Sequence, residues 1–160
     1  SRVASGMGLP VVAFDTDRSA VEQNYLACIK NGEKLILPLV MDFTAPSPAI
    51  GWNNAERASF TRRGPCGTAL ALALIHHLCI SNNVPLPDAA SFFRGVCDSL
   101  IIEFVPKSDS QVQRLLLSRE DIFPDYTKEG FEQAFGLFFD TIDSAPIPGT
   151  ERTLYLMKSK

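Results

Sequence analysis

Residues 11–17, VVAFDTD, carry the chain from an apolar run straight into two carboxylates, Asp15 and Asp17. An unpaired carboxylate inside a strand costs several kcal/mol, roughly, even after relaxation. Residues 11–14 therefore read as a buried strand, and the acids mark where it leaves the sheet for water or a ligand. The same punctuation recurs at residues 35–42, LILPLVMD, where a second apolar strand, 35–41, closes on Asp42.

Between these strands, Ser19-Ala-Val-Glu22 is a capping-box pattern. The helix after it runs to about Lys30 and stops at Asn31-Gly32. Residues 44–65 are rich in Pro, Asn and Arg and read as a long irregular loop, a length usually tied to function or motion. TALALALI, 68–75, reads as a third strand, apolar on both faces as a central parallel strand would be. A short helix over about 77–81 follows, then a helix beginning near Asp88, then a fourth strand at 99–106, SLIIEFVP. Ser108-Asp-Ser-Gln111 is another capping box, opening a helix to about Ser118. Thr127 caps a further helix from about Lys128 to Phe135. Two strands, 137–145 and 152–157, close the chain around the turn PIPGTE. The order βαβ–loop–βαβαα–ββ predicts an α/β fold with a parallel sheet and a final antiparallel hairpin.

A chain of 160 residues with 46% hydrophobic and 21% charged residues suits one globular domain with a sizeable core. The formal net charge of −3 argues against nucleic-acid binding through bulk charge. The longest apolar run, 69–75, is too short to cross a bilayer, and no signal peptide is visible, so no membrane partner is expected. Cys28, Cys66, Cys79 and Cys97 form no CxxC pair, and the only histidines are the adjacent His76 and His77, so no metal site is expected. The setting expected is reduced and cytoplasmic, with the cysteines as small apolar residues. The opening SRVASGMG reads as the tail of a helix ending at glycine, so the chain is expected to be a fragment or processed product.

Ligands of open parallel sheets bind beyond the carboxyl ends of the strands. Asp15–Asp17, Asp42 and His76-His77 all fall there. Asp15 directly follows the apolar run and is placed to accept two hydrogen bonds from the vicinal hydroxyls of a ribose, each contributing about 1.5–3 kcal/mol. The alternative is that both acids are solvated turn residues, with Asp17 capping the next helix. Asp42 stands equally between accepting from an adenine amino group and serving as a turn aspartate, with Met41 or Phe43 against the ring. A neutral imidazole at His76 or His77 could take a proton from an acceptor nucleophile. The competing and favoured reading packs one ring and solvates the other at a strand–helix junction. Arg57, Arg62 and Arg63 read as a charged loop face before they read as an anion clamp, and Trp52 as a lid or a loop anchor. Phe92, Phe93, Phe131, Phe135, Phe138 and Phe139 read as core.

VVAFDTDRSAVEQNY, LPLVMDF, LALALIHHL and LIIEFVPKSDSQVQRLL, in that order, resemble successive motifs of class I S-adenosylmethionine-dependent methyltransferases, within a bacterial group related to nodulation proteins. The acid-ended strand alone is weakly specific; the ordered set spans nearly the whole chain. The resemblance implies a Rossmann-like three-layer sandwich, mostly parallel with a C-terminal antiparallel hairpin, whose first strand is missing. Residues 1–160 would then form a single, partial methyltransferase domain. It implies S-adenosylmethionine as cofactor and a small-molecule or protein methyl acceptor. It further implies that Asp15, with Thr16 and Asp17 beside it, holds the ribose and that Met41, Asp42 and Phe43 border the adenine. Residues 73–77 would floor the sulfonium, with Ala73 and Leu74 at the cofactor and His76 and His77 as catalytic candidates. Residues 103–107 resemble a substrate-side loop with Glu103 and Lys107 as candidate participants.

Two departures from the family pattern stand out. The glycine-rich loop between the family's first strand and helix is absent, and Gly6-Met7-Gly8 precedes a strand rather than following one. An acid common near the start of the family's fourth strand is replaced by Gly67 or Thr68. The chain is therefore expected to bind S-adenosylmethionine weakly or not at all, and to be inactive by itself. A methyltransferase-like binding module without catalysis is the alternative. A fragment of a nicotinamide-dependent dehydrogenase is a further one, against which the closing hairpin and LALALIHHL both speak.

Overall fold

The computed structural model describes residues 1–160, which form two compact units, Ser1–Ser47 and Pro48–Lys160. Each is described by itself.

The first unit opens with helix α1 (Arg2–Gly6), followed by β1 (Val11–Asp15), α2 (Arg18–Asn31) and β2 (Ile36–Val40). β1 and β2 pair in parallel, with Val11 beside Ile36 and Asp15 beside Val40. The capping box expected at Ser19 gives way to Asp17, whose carboxylate accepts the Ser19 N–H at 2.8 Å and starts the helix two residues earlier. An ionised acceptor takes an orphan amide more strongly than a hydroxyl does. Gly32 ends α2 in the left-handed region at φ 65°, the stop that Asn31-Gly32 predicts. α2 packs on both strands. Ile36 and Pro38 are buried while Leu37 and Leu39 are exposed, so β2 has one covered face instead of the two its apolar run implied.

The second unit holds β3 (Cys66–Ala71), α3 (Leu86–Val96), β4 (Cys97–Phe104), α4 (Ser110–Leu116), α5 (Lys128–Gly136), β5 (Phe139–Pro146) and β6 (Thr153–Ser159). Its four strands lie in the order β3-β4-β6-β5. β3 runs parallel to β4, whereas β6 is antiparallel to both β4 and β5. The α/β class and the closing antiparallel hairpin agree with the sequence. The mostly parallel sheet does not: with β1–β2 counted, parallel and antiparallel pairings are equally frequent, because β6 folds back between β4 and β5. β3 is an edge strand, not a central one, and Leu70 is exposed.

The core of this unit is aromatic. Phe131 sits 5.2 Å from Phe104, 4.4 Å from Phe135 and 5.1 Å from Tyr155, ring centre to ring centre. Phe93, Phe131, Phe135 and Phe139 are buried as expected, while Phe92 and Phe138 are only half-buried. The loop preceding β3 is more ordered than its composition implies, with an Ile50–Arg57 bridge and short 3-10 turns at Trp52–Asn54 and Phe60–Arg63. Trp52 is 86% exposed, which rules out its reading as a loop anchor. No helix is long and apolar enough to cross a membrane.

Candidate functional site

Parallel pairing places the carboxyl ends of β1 and β2 side by side, and with them Asp15, Thr16, Asp17, Met41, Asp42 and Phe43. The Met41 N–H donates to the Asp15 carbonyl at 3.0 Å, tying the two strand ends together. Phe14 and Phe43 meet edge to face, 5.5 Å between ring centres. Each of the three acids engages one oxygen, Oδ1, within its own turn. Asp17 caps α2. Asp42 Oδ1 accepts both the Thr44 hydroxyl at 2.7 Å and the Thr44 N–H at 2.8 Å. Those bonds, the hydroxyl's first, hold its carboxyl below the usual carboxylate range. Asp15 accepts only the Asp17 N–H, at 2.9 Å through Oδ1; its Oδ2, like that of Asp17 and of Asp42, has no protein partner. Asp15 also lines a cavity of about 170 Å³ with Ala13, Phe14, Ala20, Val21 and Asn24.

Ala73, Leu74, His76 and His77 belong to the second unit. Sequence reading extended β3 through residue 75; the strand ends at Ala71 and the chain turns at 72–74. Ala73 lies at φ 49°, a left-handed conformation that costs a residue with a side chain about 1–2 kcal/mol. Its N–H donates to Glu103 Oε2 at 2.8 Å, thirty residues away in sequence. Glu103 is 7% exposed, and its Oε1 accepts Arg152 Nη1 at 3.0 Å. Arg152 Nε in turn donates to Asp109 Oδ2 at 2.7 Å. Asp109 caps α4 by accepting the Gln111 N–H, replacing Ser108, whose hydroxyl donates to Glu151. The Arg152 guanidinium holds the Asp109 carboxyl below its ordinary value.

The turn delivers His76 into the interior, 2% exposed, with Nδ1 buried and unpartnered. Burial first, then the neighbouring His77 and Arg152, lowers its pKa to about 4, so the ring is neutral at pH 7. His77 is exposed, and its carbonyl accepts Asn82 Nδ2 at 2.8 Å. One packed ring and one solvated ring is the junction arrangement read from sequence. A single turn of π-helix, His77–Ser81, carries the chain onward.

Lys107 donates to both oxygens of Asp121, at 2.7 and 2.8 Å, so its ammonium is engaged within the protein. Arg152 and Asp109 were missed by sequence reading. The one local signal was Glu103 itself, an acid inside the apolar run SLIIEFVP that requires a counter-charge.

No protein-family model matches the chain. Nodulation protein NoeA of Rhizobium meliloti (strain 1021) is 41% identical over 144 residues, which are 90% of this chain and 30% of that protein. The chain thus spans under a third of that relative's length. Among solved structures, the PH0226 protein from Pyrococcus horikoshii OT3 aligns with a TM-score of 0.61 at 14% identity, covering 99% of this chain and 76% of that one. WbdD aligns with a TM-score of 0.60 at 12% identity, covering 98% of this chain and 32% of that one. At such identities the likeness is one of fold.

Proposed function

We propose that the chain takes part in S-adenosylmethionine-dependent methyl transfer to a small-molecule or protein acceptor. The observation that carries this reading is the rim at the ends of β1 and β2. There Asp15 presents a carboxylate oxygen with no protein partner beside a cavity, next to the Phe14–Phe43 pair. That donor set fits an adenosyl group, whose ribose offers two vicinal hydroxyls and whose base offers a flat apolar face. The ordered motif resemblance, the methyltransferase-like α/β fold and the identity with NoeA support it further. Asp15 would hold the ribose, and Asp42, fixed by Thr44, would border the base through Met41 and Phe43.

The cofactor's sulfonium supplies an already activated methyl group, which leaves the protein chiefly to position donor and acceptor and to exclude water. Within the second unit, taken by itself, His77 is the exposed imidazole, open to take a proton from an acceptor. His76 packs behind it as a neutral ring. The module without catalysis remains the second reading, favoured by the local roles of Asp17 as a helix cap and of Asp42 as a turn residue.

Titrating S-adenosylmethionine into the isotope-labelled chain tests the reading. Saturable shifts of the Asp15, Thr16, Asp42 and Phe43 amides, weak in affinity and lost in Asp15→Ala, are the result expected. Shifts absent at saturating concentrations from the intact protein as well as from this chain would overturn it, and methyl transfer absent from the intact protein would favour the module.

A further inference from the structure

We propose that Glu103 and Arg152 are positioning residues: together they hold the left-handed turn at Ala73, and with it the His76–His77 pair, without either meeting the substrate. The resemblance placed Glu103 on the substrate side. Its surroundings give it other work. Each carboxylate oxygen already has a partner, Oε2 the Ala73 N–H and Oε1 the Arg152 guanidinium, and the residue is buried.

The geometry follows from the sheet. β3 and β4 are parallel with Ala71 beside Ile102, so Ala73, two residues past that pair, lies within reach of the Glu103 side chain. Nothing in the sequence around residue 73 favours φ 49°; the conformation is held from outside, by a charge-assisted bond to the neighbouring strand. Glu103 in turn is fixed by Arg152, which directly precedes β6, the strand antiparallel to β4. The planar guanidinium reaches Glu103 through Nη1 and Asp109 through Nε, joining the end of β4, the cap of α4 and the entry to β6. His76 stands three residues beyond Ala73, its ring sealed and its Nδ1 unpartnered. Slack in the turn would let that ring move and water reach it. This inference rests on the proposed function only where it assigns His77 to the acceptor.

The test is made on the whole chain without cofactor or acceptor, so it reads out even if the methyltransferase reading fails. Hydrogen exchange at the Ala73 amide and the Cε1–H resonances of the two histidines are followed together. In Glu103→Ala the Ala73 amide exchanges faster by about tenfold or more, as expected for loss of one charge-assisted hydrogen bond. Both histidine resonances shift while the aromatic core signals stay in place. Arg152→Met reproduces the pattern, and Arg152→Lys, which keeps the charge but not the fork, falls between Arg152→Met and wild type. An unmoved Ala73 amide, or a faster amide with unmoved histidine signals, overturns the proposal. Should Glu103→Ala fail to fold, adding Ala73→Gly must restore folding, because glycine takes φ 49° unaided; failure to do so overturns it as well.

Discussion

The imidazole rings of His76 and His77 lie 4.2 Å apart, one sealed in the interior and the other open to solvent. The buried ring has its pKa lowered from 6.5 to about 4, by burial foremost. As pH falls through 6.5 the unfolded chain takes up a proton that the folded chain refuses. Stability from this group is thus fully present above 6.5, falls between 6.5 and about 4, and is flat below; the total is about 3 kcal/mol. Urea unfolding at pH 7 and pH 5 should show wild type losing more stability than His76→Leu. Equal losses would place the dependence elsewhere.

Phe131 is fully buried and touches three other rings, so truncating it removes both transfer free energy and ring contacts. Phe131→Ala is expected to cost about 3–5 kcal/mol, read as a fall in the urea midpoint. The matched change at exposed Leu117 should cost under about 0.5 kcal/mol. Comparable costs at the two sites would show that the aromatic cluster is not the centre of the core.

What the sequence disclosed and what it hid divide along the range of the interactions. The α2 stop at Gly32, the Thr127 cap of α5 and the β5–β6 hairpin rest on neighbours a few residues apart, and each was legible. So were the acids closing β1 and β2, because an apolar run cannot bury them unpaired. The turn at Ala73 was not. TALALALI carries no local break, and the conformation is set by Glu103, thirty residues on, whose own counter-ion Arg152 comes forty-nine residues later still. The edge position of β3 was hidden for the same reason: its apolar side chains say nothing of which strands flank it.

Tyr126 is buried, and its hydroxyl donates to the Val105 carbonyl at 2.9 Å, also buried. Burial pushes the phenol's pKa upward, so the group remains a donor throughout the working range. Tyr126→Phe keeps the ring against Phe104 but leaves the carbonyl unpaired. The expected cost is about 1–3 kcal/mol in chemical unfolding, with little change in aromatic packing. A neutral outcome would mean that water reaches Val105.

Gly130 and Gly136 lie in the same helix, α5, yet alanine should act on them in opposite directions. A Cβ at Gly136 meets nothing within 4 Å, so Gly136→Ala gains helix propensity, up to about 1 kcal/mol. At Gly130 the same atom would stand 2.1 Å from the Asp125 carbonyl oxygen and 3.3 Å from Thr127 Oγ1. Backbone must move to relieve that contact, and Thr127 already caps the helix through the Gly130 N–H at 3.0 Å. The steric cost, about 1–3 kcal/mol and often more for backbone, outweighs the propensity gain. Melting temperatures of the two variants should therefore fall on either side of wild type; a Gly130→Ala chain as stable as wild type would show that the 125–127 turn yields freely.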